Sequence, residues 1–512
     1  MSQSTLKSSF LAFTGRAKVL HMTWFAFFVT FLVWFSHVPF KDEIIASLNL
    51  QPHEWKIILI LNVALTIPAR IVTGMLVDKY GPRKSYAAML VLTAFLCFFF
   101  AIAQSFEVLA LAKFLMGFVG AGFVIGIRMI SEWFPAKQLG LAEGIYKGMG
   151  NVGSAVGAAT LGFVAAHVFG DGENAWRYAI ASTGAIALIY SVFYYREMTD
   201  TPAGSTYFRP NKSGGLELTS KRDFIFCLLV NIPMVGSLAA LTWRVTDAGI
   251  NVGLVPGSEA VSGLISNTTS YIIYALLLAL YVYQARVLFG VNKNMLQSAP
   301  MDKALQYKFK QVAILSVGYA VTFGAELAVI SMLIDYFKTM SFGGKETWLA
   351  AGMSVSIFGA SFAAVDVLSC PSGGIISDKF GRKKPMVILL SGAAIGFFVM
   401  SQITESWHLS LVVMSMMLCS FFLGSAAGCV FAVVPLVKRK LTGQIAGTVG
   451  AYGNVGAVIF LLVFSFVSTS TFFFVIACGI SFAVLCALFL DEPQGHMTEV
   501  LADGTIQKID LS

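Results

Sequence analysis

Runs of about 18 or more apolar residues recur fourteen times along the 512-residue chain, and nothing else limits its fold so strongly. They lie at 19–40, 56–77, 86–105, 108–133, 141–168, 175–195, 223–243, 266–286, 309–334, 347–377, 385–403, 409–436, 442–468 and 470–490. In hydrocarbon every backbone N–H and C=O must be bonded within the segment, so such runs are expected to be helices. Only 12% of residues are charged, against about 25% in a soluble domain. The expectation is an all-α polytopic membrane protein. Arg16 and Lys18 directly precede the first run, which is longer than a signal-peptide core and has no clear cleavage site after it, so it is expected to remain a span.

Basic residues orient the chain. With the N-terminus inside, the inner loops and tails carry 25 Lys/Arg and the outer loops 6, while Arg70, Lys113, Arg128 and Lys147 lie within spans. This places both termini in the cytoplasm, the membrane being the cell inner (cytoplasmic) membrane. The net charge of +8 is then topological, and nucleic-acid binding is a poor reading because the basic residues sit in short loops. The seven cysteines fall in apolar segments without paired spacing and read as small buried hydrophobes. The six histidines are scattered, no phosphate-cradling loop is present, and no soluble segment is large enough for catalysis. Neither an enzyme, a cofactor nor a metal site is expected.

Internal repetition gives the next constraint. TIPARIVTGMLVDKYG, 66–81, matches DVLSCPSGGIISDKFG, 366–381, through Gly74, Asp78, Lys79 and Gly81 against Gly374, Asp378, Lys379 and Gly381. Gly150, Asn151 and Gly153 match Gly453, Asn454 and Gly456 at an offset of 303. Two motifs at nearly one offset imply a duplicated six-span unit, 1–196 and 309–491. Between them, 197–308 adds cytoplasmic loops and two further spans, and 492–512 is a cytoplasmic tail. Two six-span halves of like orientation are the pattern of transporters that hold substrate between repeats near the midplane.

The loop G-x-x-x-D-K-x-G-x-R-K, Gly74 to Lys84, resembles that of the major facilitator superfamily. The glycine signatures around Asn151 and Asn454 resemble those of its nitrate/nitrite porter family. NVALTIPARIVTGMLVDKYGPR, GAGFVIGIRMISEWFP, AEGIYKGMGNVGSA and FGAELAVISML are similar to the bispecific nitrate/nitrite permease branch. The resemblance covers most of 16–490. It implies a major facilitator fold of two six-helix bundles, here with two additional helices between them. It also implies a secondary active transporter moving nitrate and/or nitrite by alternating access, with the anion and the bilayer as partners and a monomer as the working unit.

Arg70 is the sharpest individual signal. It lies mid-span, where an arginine costs roughly 2.5–3.5 kcal/mol to insert even on the lower scales. A structural ion pair would explain it; so would a bidentate fork for a small planar anion, and the resemblance implies the second. Gly148, Gly150, Gly153 and Gly157, like Gly450, Gly453 and Gly456, suit close helix packing. The amides of Asn151 and Asn454 need partners if buried, and the resemblance implies that they flank the substrate with Gly150 and Gly453; Asn151 is the stronger candidate. It also singles out Phe123, Tyr319 and Phe323 as an aromatic enclosure. Glu326 reads as an unpaired carboxylate, either a proton carrier or a structural acceptor. Arg128 with Glu132 and Glu143 with Lys147 are spaced to neutralise each other on one helix face, and Arg128 also has the option of adding positive potential to the cavity.

The family pattern expects a second arginine at position 370, where this chain has Cys370, with Asp366 one turn earlier. An Arg70–Asp366 pair would compete with substrate. Three readings follow: a nitrate/nitrite transporter of weaker affinity, a transporter of a different small solute, or a non-transporting sensor. The first is favoured, because Arg70, Asn151, Asn454, Tyr319 and both loop motifs are retained. On it, Cys370→Arg would raise affinity, and weaker repulsion across the cavity would let the empty carrier close more readily. Asp78 with Arg83 and Asp378 with Arg382 are expected gating contacts, which favours alternating access over a channel. Uptake against an inside-negative potential would need symport with more than one proton per anion, or nitrate/nitrite exchange.

Overall fold

The computed structural model describes residues 13–170, 172–210, 214–252, 263, 265–297, 306–350, 361–493, 496–500 and 506–510. Among them, thirteen helices are long and apolar enough to cross a membrane, matching thirteen of the fourteen expected runs. The remaining expectation, 347–377, crosses 351–360, which lie outside the described residues; on either side of them lie the helix Lys345–Ala350 and the 15-residue helix Asp366–Phe380. The main helices are α1 (Gly15–Trp34), α2 (Pro52–Ala64), α3 (Thr66–Tyr80), α4 (Pro82–Ala101), α5 (Phe106–Met116), α6 (Gly122–Trp133), α7 (Ala136–Val164) and α8 (Ala175–Glu197) in the first half. Two more, α9 (Lys221–Arg244) and α10 (Asn267–Gln297), lie in the insertion. The second half holds α11 (Phe309–Thr339), α12 (Asp366–Phe380), α13 (Lys383–Ser401), α14 (Leu409–Val437), α15 (Thr442–Phe464) and α16 (Thr469–Ala487).

The sequence repeat is a structural one. Helices α3 and α12 have the same length, begin 300 residues apart, and each follows a break, at Leu65 and Val365. Each stops at a glycine with positive φ, Gly81 at +89° and Gly381 at +88°, a conformation that a side chain would strain. Each stop is then fixed by a carboxylate just beyond the end of its own half. The Arg83 N–H donates to Asp200 Oδ1 at 2.8 Å, and the Lys383 N–H donates to Glu492 Oε2 at 2.8 Å.

The halves meet along two pseudo-symmetric helix pairs, α3 on α15 and α12 on α7. Glycine permits both. A Cβ on Gly74 would overlap the Gly443 backbone, and one on Gly374 would overlap the Gly140 backbone. Asp78 accepts from the Gly443 and Gln444 N–H groups, both at 2.9 Å, at the N-terminus of α15. Asp378 accepts from Gly140 and Leu141, at 3.0 and 2.8 Å, near the N-terminus of α7. At Asp78 the partners are among the unpaired first N–H groups of the helix, and at both places the positive end of the helix dipole favours a carboxylate.

The insertion packs outside the twelve core spans. Helix α9 lies against α15 and α11. Its Met234 shares an apolar cluster with Ile67 of the first half and Tyr452 and Val455 of the second. Helix α10 packs on α9 and is mostly exposed. In the loop between them, Asp247 and Asn251 border a single helical turn, while Glu259 lies outside the described residues. The tail is not wholly irregular: His496–Val500 and Ile506–Asp510 pair as an antiparallel hairpin. The cysteine expectation needs one correction. Cys97, Cys227, Cys370, Cys419 and Cys429 are buried, but Cys478 is exposed and Cys486 half-buried on α16, where the outer face of the bundle is apolar anyway.

Candidate functional site: a cation, an aromatic stack and an ion cluster between the halves

Arg70 is fully buried at the interface of α3 and α15. Its Nε donates to the Gly120 carbonyl at 3.2 Å and its NH1 to the Gly450 carbonyl at 2.6 Å. The guanidinium carbon lies 5.0 Å from the Phe323 ring centroid and 5.6 Å from that of Phe123. No carboxylate pairs with it among the described residues, and the expected Arg70–Asp366 pair does not form. The charge is held by carbonyl dipoles and ring faces, which leave it uncompensated.

The aromatic residues form one stack. Tyr319 lies parallel to Phe323 at 5.0 Å and to Phe123 at 6.2 Å, with Phe431 edge-on at 4.6 Å from Tyr319. The spacing 319/323 puts two rings on one face of α11. Gly453 is required here, since its Cβ would sit 2.7 Å from Tyr319 Cε1 and 2.8 Å from Phe323 Cδ1. Gly150 is required elsewhere, where a Cβ would overlap the Phe27 ring on α1.

The two signature asparagines part company. Asn454 is buried near Arg70: its Nδ2 reaches the same Gly450 carbonyl at 3.4 Å, and its Oδ1 has no hydrogen-bond partner among the described residues. Asn151 donates instead to Glu326 Oε1 at 3.2 Å and Asp366 Oδ2 at 2.9 Å. Glu326 is therefore not unpaired. Lys147 Nζ lies 3.1 Å from Glu326 Oε2, 3.4 Å from Asp366 Oδ2 and 3.4 Å from Cys370 Sγ. The expected Glu143–Lys147 pair does not form. Lys147 turns to the second half, and Glu143 is buried with neither oxygen hydrogen-bonded among the described residues, facing Arg382 and Asp378.

Sequence reasoning missed Lys147 as a site residue, although the repeat contained the signal. At the offset of 303, Lys147 corresponds to Gly450 and Asn151 to Asn454. The packing confirms the correspondence: Gly447 backs onto the Arg70 carbonyl and Gly144 onto the Cys370 carbonyl. Gly450 is small because the Arg70 side chain fills its space, a Cβ there standing 3.2 Å from Arg70 Cδ. In the other copy the sizes are exchanged. Cys370 is small and Lys147 fills the space. In this copy the cation stands on α7 and not on α12, and Lys147 also lies 5.9 Å from the Phe323 ring that Arg70 faces.

Arg382, Asp378, Asp78 and Arg128 belong to the end that carries the basic loops, and Lys113 lies at the opposite end. Arg382 NH1 meets Asp378 Oδ1 at 2.5 Å, as expected, and Arg382 NH2 donates to the Ala136 carbonyl across the halves at 2.7 Å. The expected Asp78–Arg83 contact is replaced. Asp78 pairs with Arg128 at 3.3 Å, because Arg83 is drawn to the Tyr195 carbonyl and stacks on the Tyr195 ring. Arg128 does pair with Glu132, at 3.1 Å, but also bonds Tyr207, Phe208 and the Arg439 carbonyl. Its bonds tie the end of α6 to the segment 207–208 and to Arg439 of the second half. Lys113, the fourth cation inside a span, donates to the Trp34 carbonyl and His37 at 2.9 and 2.8 Å.

Comparison with known proteins agrees with this architecture. The profile of the Major Facilitator Superfamily matches residues 23–461. The chain is 43% identical to the nitrate/nitrite transporter NrtP of a Picosynechococcus species, over 95% of both chains. It is 38% identical to the NrtP of Nostoc punctiforme over 94% of both. It is 25% identical to a probable nitrate/nitrite antiporter, NarK1, of Thermus thermophilus, over 86% of this chain and 83% of that one. Among solved structures it resembles the proton:xylose symporter XylE, with a TM-score of 0.57 at 14% identity, over 93% of this chain and 97% of that one. The human organic anion transporter MFSD10 gives 0.55 at 12% identity, over 93% and 100%. The duplicated bundles, the crossed glycine pairs and the extent of these likenesses together place the chain in the Major Facilitator Superfamily, in its nitrate/nitrite porter family.

Proposed function

We propose that this multi-pass membrane protein transports nitrate and nitrite by alternating access, as a monomer in the cytoplasmic membrane with both termini inside. It is a transporter and not an enzyme. One observation carries the substrate reading: Arg70 is a buried guanidinium with no carboxylate partner among the described residues, beside Tyr319 and 5.6 and 5.0 Å from the ring centroids of Phe123 and Phe323. Such a cation attracts a monovalent anion, and flat rings suit a planar one. Arg70 supplies the fork, Tyr319 a hydroxyl donor and Asn454 an amide donor; Gly453 keeps the rings in place. Asn151 acts through the ion cluster. The readings as a different solute carrier or a sensor rested on the cation missing at position 370, and Lys147, 3.4 Å from Cys370 Sγ, removes that support.

Purified protein in liposomes is expected to take up nitrate and nitrite saturably and to exchange one for the other across the membrane. Absence of saturable flux for both ions would sink the reading.

The basic-loop end is the gate in this proposal. Asp78 and Asp378 hold α15 and α7 from the opposite half, so each aspartate must let go for the inner face to open. Asp78→Asn and Asp378→Asn each weaken charge-assisted bonds worth about 1.5–3 kcal/mol. Each is expected to raise inward opening about tenfold, read as faster labelling of a cysteine probe on the inner face. Unchanged labelling in both variants would remove the aspartates from the gate.

A further inference from the structure

We propose that Lys147, Glu326 and Asp366 form the proton-coupling site, which exchanges a proton for release of the second cation to the anion. The inference rests on the nitrate/nitrite reading and adds a coupling ion to it. Lys147 lies on α7 of the first half, while its two carboxylates come from α11 and α12 of the second. Both carboxylates also share the Asn151 amide nitrogen, so they stand side by side around one ammonium. Every one of these groups is buried. Ser369 Oγ adds a donor to Asp366 at 3.3 Å. Among the described residues, the other titratable groups facing the cluster are Cys370 on α12 and Tyr319 on α11; Tyr319 in turn faces Arg70 on α3, and Ser425 on α14 donates to the Ser369 carbonyl.

Charge balance supplies the argument. Arg70 and Lys147 against Glu326 and Asp366 sum to zero. An entering monovalent anion leaves the buried centre at minus one, which a low-dielectric interior disfavours strongly. A proton added to either carboxylate restores neutrality. It adds to an oxygen lone pair, breaks no bond, and loosens one of the two contacts that hold the Lys147 ammonium. The ammonium is then available to the anion from the side opposite Arg70. Loaded and empty centres carry the same charge, so the cycle is electroneutral with about one proton per anion. This replaces the sequence expectation of more than one proton: a neutral cycle runs on the pH gradient and is indifferent to the membrane potential. The sign follows directly. Low pH favours the protonated, anion-binding form, so nitrate affinity rises as pH falls, by at most about tenfold per pH unit for one coupled proton.

The test is nitrate titration of the purified protein in weakly buffered detergent with a pH indicator, with infrared difference spectra on the same samples. The expected result is uptake of about one proton per nitrate bound and growth of a protonated-carboxyl band. In Glu326→Gln or Asp366→Asn, protons taken up per nitrate bound should fall at least threefold relative to the native protein, a ratio that a merely structural loss would not move. Nitrate binding with no proton uptake, or an unchanged ratio in both variants, would overturn the inference and leave the nitrate reading standing. Should neither variant fold, the infrared spectrum of the native protein decides: no carboxyl band on nitrate addition overturns the assignment. Failure of nitrate to bind at all would instead defeat the substrate reading.

Discussion

Arg70→Lys is expected to lower nitrate uptake at subsaturating substrate by about 10²–10³-fold, with the gate and the fold intact. Lysine keeps the charge but loses the planar fork. A single ammonium cannot reach the Gly120 and Gly450 carbonyls together while facing the rings of Phe123 and Phe323. Losing two charge-assisted bonds to the anion costs about 3–4 kcal/mol, which is the stated factor. A stability measurement separates this from the structural explanation. A buried cation in an ion pair would destabilise the fold by about 3–5 kcal/mol when removed. Among the described residues Arg70 has no carboxylate to abandon, so Arg70→Met is expected to leave the Tm of the nitrate-free protein unchanged or slightly higher. The same variant should abolish the rise in Tm that nitrate causes in the native protein. A large fall in Tm without nitrate would mean that Arg70 holds the bundles together.

That result would also measure how far the site was legible in the sequence. The 300-residue repeat was readable because the glycines and aspartates of each copy do the same local work. Gly81 and Gly381 end helices at positive φ, and Asp78 and Asp378 each bind two backbone N–H groups near the start of a helix of the opposite half. Arg70 was legible because a lone arginine in an apolar run has few explanations. Lys147 was misread because Glu143 lies one turn away, and helical spacing offers a local partner. The actual partners are 179 and 219 residues distant, on helices that only the fold brings near. The same limit turned Asp78 toward Arg83 in the sequence and toward Arg128 in the structure. It also hid Asp200 and Glu492, whose caps on the two loops have no local signature. Asp366, read as a competitor for Arg70, is occupied by Lys147 and Asn151. Pairings across the bundle are a property of the interface, and one chain's periodicity cannot report them. What could have found Lys147 was the repeat itself, by asking why one copy has lysine where the other has glycine.

That question leads to the second large effect, a charge relocation. Cys370→Arg alone, expected from the sequence to strengthen binding, is now expected to weaken it about tenfold or more. Cys370 is fully buried and its sulfur already touches the Lys147 ammonium. A guanidinium there would overfill the space and press a third cation against the second. Lys147→Gly alone should be worse, because it leaves Glu326 and Asp366 buried together without their cation, a loss of about 3–5 kcal/mol. The double variant Lys147→Gly with Cys370→Arg reproduces the arrangement already present at Arg70 and Gly450. The new glycine makes the space, and the introduced guanidinium fills it within reach of both carboxylates. Nitrate affinity in the double variant is expected to recover at least tenfold over either single change, a favourable coupling of about 1.5–3 kcal/mol in the mutant cycle. Helical glycine takes back about 1 kcal/mol of stability, so recovery of binding should exceed recovery of Tm. If the two changes simply add, positions 147 and 370 do not exchange roles, and the cation on α7 is not the counterpart of the one that α12 lacks.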